Sequence, residues 1–325
     1  MEITLQEIAQ VVNGELKGNP NLKIYGISTP ENPKPETIVF CKSKKDYEKV
    51  KGKVKAYVVS EDIPEGDYIK VSEVKLALAK FLAHFFPEKH PVGISKNSVI
   101  GKNVHIGKNV YIGDFVVIGD NVRIEDNVKI YPFCYIGENT HIGENTVIFS
   151  GVHIYRNTII GKNVRIHSGA VIGADGFGYY VGKEGIIKLN HIGSVVIEDN
   201  VEIGANTTID RALIDQTIIK RNTKIGSLVV VAHNCQVGEN NLIVSQVGLA
   251  GSVKTGKNVI LAGQVGVADH ITIGDNVKVA AKSAVTKNLE PNKTYGANLP
   301  AIEWNKWKRI YLYLLRLSEL FKRFK

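Results

Sequence analysis

Of the nine histidines in the chain, His233 is the one that the repeat pattern surrounds with chemistry. Apolar rungs fall at Ile209, Val231, Leu249 and Val267, and the residues two places beyond each rung share a column: Arg211, His233, Gly251 and Asp269, with His270 next in the chain. If each circuit advances about 4.8 Å, the spacing of neighbouring strands, the column carries an imidazole, a glycine N–H about 5 Å along it and a second imidazole about 10 Å along it. An imidazole can take the proton of an attacking amine or hydroxyl, and an unobstructed backbone N–H can stabilise the oxyanion of a tetrahedral intermediate. That is the minimum equipment for acyl transfer, and it requires no nucleophilic serine or cysteine. His105, His141, His153 and His167 lie near corners of the same pattern without a visible companion, and no histidine spacing forces a metal site.

The column exists only if the chain coils with a fixed period. From Ile94 to Ile172 an isoleucine stands at every sixth position; the ladder then breaks, resumes at Ile197, Ile203 and Ile209, slips by four residues and continues from Ile219 to Val285. A period of six fits neither a 3.6-residue helix nor a two-residue strand alternation. It fits a parallel β-helix in which three hexapeptides close one triangular coil, giving roughly ten coils stacked at about 4.8 Å. Isoleucines would stack inside, and Gly, Asn and Asp, as in Gly119-Asp120-Asn121, would supply corners at positive φ. The longer interruption, Ala174 to Asn190, is rich in glycine and aromatics but lacks the lysine and hydroxyl of a phosphate loop. A loop extruded from a regular solenoid is where a binding role is first sought.

Before the ladder, Thr4 to Asn13 reads as a helix with a Thr4/Glu7 capping box; β-like runs follow at 22–27, 37–41, 56–60 and 68–71, and a second helix spans 73–86. These make an α+β domain, 1–93, ahead of the solenoid, 94–290. The segment 291–325 carries helical spacing from Trp304 to Phe324, through Trp307, Ile310, Leu314, Leu317, Leu320 and Phe321. It is strongly basic, with Lys306, Lys308, Arg309, Arg316, Lys322, Arg323 and Lys325.

The chain has 325 residues, of which 44% are hydrophobic and 22% charged, so it is too apolar for disorder and long enough for more than one domain. No signal-peptide pattern opens it and no apolar run reaches spanning length, so membrane contact is expected to be peripheral at most. Three scattered cysteines, Cys41, Cys134 and Cys235, point to a reducing cytoplasm. The net charge of +9 comes without a nucleic-acid-binding motif and suits an acidic protein or substrate instead.

The ladder, Ala232-His233-Asn234 with Val237-Gly238, the segment GADGFGYY at 173–180 and Thr207-Thr208-Ile209-Asp210-Arg211 together resemble the UDP-3-O-(3-hydroxyacyl)glucosamine N-acyltransferases of lipid A biosynthesis. The likeness extends to Phe40, Tyr47 and Leu76-Ala77-Leu78-Ala79 in the N-terminal domain. It implies a left-handed parallel β-helix assembled as a homotrimer. The acyl donor would be a 3-hydroxyacyl thioester on the phosphopantetheine arm of acyl carrier protein, with no other cofactor, and the acceptor a UDP-sugar lipid. By the resemblance His233 is the general base, Gly251 N–H the oxyanion donor and His270 an active-site helper, while Phe40 and Tyr47 stack on uracil and Asn234 meets substrate. Lys287, Lys306, Lys308 and Arg309 are the nearest cations for an acidic carrier protein. Gly226-Ser227 stand where the family usually has Asp-Asn, seven and six residues before the base, so the resemblance leaves open which group orients His233. Ser43 takes the place of an asparagine, and Tyr47 stands one residue further from Phe40 than usual. Other readings are a different hexapeptide sugar-nucleotide O- or N-acyltransferase, or a structural solenoid whose histidines are incidental.

Overall fold

The computed structural model describes residues 2–296, 302–317 and 321. It contains two compact units that divide between Lys89 and His90. That is slightly earlier than the repeat suggests, because His90 already bonds through Nδ1 to the Tyr131 hydroxyl (2.9 Å) of the second unit.

In the first unit, helix α1 (Leu5–Val12) starts at the expected capping box and stops at Asn13 in the left-handed conformation. Helix α2 (Lys44–Val50) was not expected: it is short, carries only Tyr47 and Val50 on its buried side, and is capped by Ser43 accepting from Asp46 N. Helix α3 (Val74–Phe85) matches the expected second helix. A five-stranded sheet runs in the order 15–17, 68–70, 56–59, 37–40, 26–28, with only the first pair antiparallel. Strands Thr37–Phe40 and Ala56–Val59 are buried on both sides. They therefore read as continuous apolar runs rather than alternating ones.

The second unit is the expected parallel β-helix. Its three faces begin at Gly93, Val99 and His105 and hold 11, 10 and 9 strands, each pairing with the strand one coil on. On the second face Val231 pairs with Ile209 behind and Leu249 ahead, and Leu249 with Val267, as the column of His233 requires. The rungs form one continuous apolar core, and buried threonines return their hydroxyls to the next coil, as Thr223 does to Gly238 O at 2.7 Å. The corners divide their labour differently from the expectation. Asparagine, as at Asn121 (φ 58) and Asn127 (φ 61), supplies the positive φ. The glycine after the isoleucine supplies clearance, since a Cβ on Gly119 would come within 2.7 Å of Glu138 N.

Helix α4 (Trp304–Leu315) follows the solenoid, and none of its residues is buried. Leu320, Lys322, Arg323 and Phe324, which the helical spacing includes, and the basic Lys325 lie outside the described residues.

Candidate active site

His233 sits at the corner between the second face, which ends at Val231, and the third, which resumes at Gln236. It is half-buried, and its ring is packed more tightly than a surface column suggests. A Cβ placed on Gly251 would lie 2.8 Å from its Cε1 and 2.9 Å from its Nε2; one on Gly176 would lie 2.8 Å from its Cβ. Glycine at both positions is what lets the imidazole lie between them.

The ring's orientation comes from the next residue. His233 Nδ1 is 3.1 Å from Asn234 Oδ1. That oxygen also accepts from Leu213 N at 3.0 Å, while Asn234 Nδ2 donates to Ile214 O at 2.9 Å, so the amide cannot be turned around. A carbonyl oxygen only accepts; Nδ1 must therefore carry the proton, which leaves Nε2 as a bare base on the Gly251 side. Asn234, expected on the substrate, thus has both ends of its amide engaged with the protein and supplies the orienting group that Gly226-Ser227 do not. Gly251 O accepts from His270 N at 3.0 Å, and among the described residues no backbone carbonyl accepts from Gly251 N–H, which stays available to an oxyanion. His270 is exposed at a positive-φ corner (φ 57) one coil beyond Gly251. Cys235 is no competing nucleophile: it is fully buried, and burial pushes its thiol up to about 12.

Two neighbours were not anticipated. Burial pushes the Asp210 carboxyl up to about 6, with His233 pulling it down and Asp175 adding to the rise. His191, 2% exposed, packs edge-on against His233 with ring centroids 5.4 Å apart at 73°. It directly follows the interruption, before the ladder resumes at Ile197, and the way the interruption leaves the coil explains both the GADGFGYY and the TTIDR segments. The interruption leaves the coil at a bulge between Ile172 and Asp175, opposite Arg211. Arg211, 1% exposed, pins that bulge by donating from Nε to Gly173 O (2.7 Å) and from Nη2 to Arg156 O (3.1 Å). The chain then passes over His233 at Gly176 and over His191 at Gly178, and continues into the hairpin 179–182/185–188. The insertion is therefore part of the wall around His233.

Asp210 yields a prediction with a definite sign. Between about pH 4 and 6 the folded protein holds a proton on Asp210 that the unfolded chain has released, so its contribution to stability falls as pH rises through that window. Asp210→Asn should abolish that fall, gaining stability over the wild type at pH 7 but not at pH 4 in urea titrations. Loss of the counter-charge to a His233 imidazolium should meanwhile lower kcat by roughly tenfold.

The remaining expected residues lie elsewhere. Phe40 is 6% exposed, with its ring 5.3 Å from that of Phe81 in the core of the first unit. It offers no open face for stacking. Tyr47 is also buried, edge-on to Tyr57, but borders a cavity of about 400 Å³ together with Cys41, Lys42, Ser43, Lys44 and Asp62. Lys287 is exposed near the end of the solenoid, and Lys306, Lys308 and Arg309 are exposed on α4. His141 and His167 each meet a carboxylate, Glu125 at 3.1 Å and Glu202 at 3.0 Å. Among the described residues no cluster of His, Cys, Asp and Glu could hold a metal ion.

Comparison with known proteins agrees with this architecture. The bacterial transferase hexapeptide (six repeats) family matches at 97–128, 115–150, 139–174 and 216–251. A UDP-3-O-acylglucosamine N-acyltransferase of Helicobacter hepaticus is 55% identical over 149 residues, covering 46% of this chain and 45% of that protein. One from Campylobacter jejuni is 49% identical over 141 residues, covering 43% and 44%. The matched stretch thus spans less than half the length of these relatives. Among solved structures, the UDP-N-acetylglucosamine acyltransferase of Arabidopsis superposes with a TM-score of 0.54 at 26% identity, over 67% of this chain and 76% of that one. That of Francisella novicida gives 0.50 at 28%, over 71% and 79%. The chain thus carries the bacterial transferase hexapeptide repeat at 97–174 and 216–251 and is similar, over less than half its length, to UDP-3-O-acylglucosamine N-acyltransferases.

Proposed function

We propose that the protein moves a 3-hydroxyacyl chain from the thioester of acyl carrier protein to the 2-amine of UDP-3-O-acylglucosamine. The observation that carries this is the imidazole of His233, held by the Asn234 carbonyl so that a bare Nε2 lies against Gly251. The amine nitrogen attacks the thioester carbon while Nε2 takes its proton, and the oxyanion is stabilised by Gly251 N–H. Collapse breaks the C–S bond, and the imidazolium returns the proton to the departing phosphopantetheine thiolate. An amide is formed, one thiol is released, and His233 is again neutral. Incubating the purified protein with carrier-protein thioesters of several chain lengths, and with UDP-3-O-acylglucosamine or UDP-N-acetylglucosamine as acceptor, tests the assignment. Preference for the second acceptor would favour the activity after which the solved relatives are named.

A homotrimer is part of the proposal. On the second face the outward positions Val99, Val117, Tyr135, Val171 and Val230 are uncharged, and its acidic residues, Asp175 and Asp210, lie toward the C-terminal ends of their strands, whereas the first face carries Arg165, Glu202, Lys224 and Lys278. A face with so little charge is the one suited to a second copy, which would then lie beside the His233 corner. Uridine recognition is assigned to the first unit, at the cavity bordered by Tyr47. A cytoplasmic location fits the proposed donor; no helix among the described residues is long and apolar enough to cross a membrane.

The acidic carrier protein would meet Lys287, Lys306, Lys308 and Arg309. Reversing the charge of Lys306, Lys308 and Arg309 together should raise KM for the donor and spare KM for the nucleotide sugar. It should also flatten the salt dependence, since the Debye length falls from about 10 Å at 0.1 M to about 3 Å at 1 M. An unchanged donor KM at low salt removes α4 from the docking surface.

A further inference from the structure

His191 presents a feature that packing alone does not explain. Its Nδ1 lies 3.0 Å from Leu189 O, a carbonyl that can only accept, so Nδ1 carries the proton and Nε2 the lone pair. That Nε2 is buried and has no hydrogen-bond partner. A buried acceptor without a donor is destabilising, and an apolar side chain would fill the same space without that penalty. The lone pair is not remote from the chemistry. A Cβ on Gly176 would stand 3.1 Å from His191 Nε2 and 2.9 Å from His233 Cδ2, so the two legs together put the bare nitrogen no more than 6.0 Å from the His233 ring.

We infer that His191 is a positioning residue acting through His233: its unpartnered lone pair is set against the positive charge that His233 acquires only during turnover. The inference rests on the acyl-transfer reading above, since it is that reaction which makes an imidazolium at His233. In the resting enzyme the lone pair faces a neutral ring and contributes nothing favourable. Once Nε2 of His233 has taken the amine proton, the same lone pair lies within 6.0 Å of a cationic ring, with Gly176 packed against both rings and Gly178 against His191. An interaction that is stronger in the transition state than in the ground state raises kcat and leaves KM alone. A partial charge at this distance, in a surrounding of effective dielectric about 20, is worth roughly tenfold in rate. The other charged groups around the pair are Asp210 and Asp175, the latter bonded to Lys188 and 4.0 Å from Arg211. None of them gives His191 Nε2 a hydrogen-bond donor.

The test separates this role from a structural one because the two move stability and rate differently. His191→Met keeps an adaptable apolar filling and removes the lone pair; His191→Gln keeps an acceptor. For His191→Met the expected result is a melting temperature equal to or above wild type, kcat lower by roughly tenfold, and both KM values unchanged; His191→Gln should recover most of the rate. An active wild type alongside a His191→Met enzyme of undiminished kcat overturns the inference alone. So does a His191→Met enzyme that loses stability together with rate while His191→Gln does the same, since that is the behaviour of a packing residue. A wild-type protein that does not turn over the proposed substrates overturns the acyl-transfer reading and this inference with it.

Discussion

Replacing His233 by alanine should lower kcat by about 10²- to 10⁴-fold, the usual contribution of a positioned general base, with little change in KM for the nucleotide sugar. The side chain touches Gly176, Gly251 and His191, so some packing is lost. It is half-buried at a corner and outside the apolar core, and the coil should survive. Circular dichroism and gel filtration of the variant should match the wild type. A variant retaining more than about a tenth of wild-type kcat would contradict the role of the imidazole, because no general base is worth so little.

Gly251→Ala should be nearly as damaging for a different reason. The added methyl carbon would fall 2.8 and 2.9 Å from two atoms of the His233 ring, well inside van der Waals contact, and the imidazole must swing away to admit it. The base and the oxyanion donor are then separated, and displacement on the order of 1 Å at a reacting centre costs roughly 10²-fold. We expect kcat to fall by about 10²- to 10³-fold. Gly26→Ala is the control: it lies in the first unit, and a Cβ there meets nothing closer than Thr37 Cγ2 at 3.5 Å, an ordinary contact, so both fold and rate should be unaffected. Equal activity in the two variants would show that Gly251 does not abut the working base.

How much of this was legible beforehand follows from the repeat. A coil of constant length turns sequence distance into position, so Ile209, Val231, Leu249 and Val267 could be stacked by counting, and the column of His233 and Gly251 came with them. What counting cannot reach are contacts made by the parts that break the period. His191 lies just past the insertion, before the ladder resumes, and nothing in the hexapeptide arithmetic brings it to His233. The role of Asn234 was hidden because its amide is fixed by Leu213 and Ile214, which lie in the second, four-residue slip. Arg211 and Asp210 were visible as part of a motif, but their work, pinning the bulge and flanking the base, depends on where the insertion leaves the coil. In the first unit, Phe40 reads as an exposed aromatic only if its strand is half-open; with both sides covered, the ring goes into the core against Phe81.

The central claim is that this chain forms an amide on the sugar nitrogen with His233 as the base. It is tested most directly by the product. Wild-type enzyme should convert UDP-3-O-acylglucosamine and a 3-hydroxyacyl carrier-protein thioester to a species heavier by one 3-hydroxyacyl group. One carrier-protein thiol should be released per product, and the added chain should survive mild alkali as an amide does. No mass gain, or a gain that mild alkali removes as it would an ester, would contradict the account.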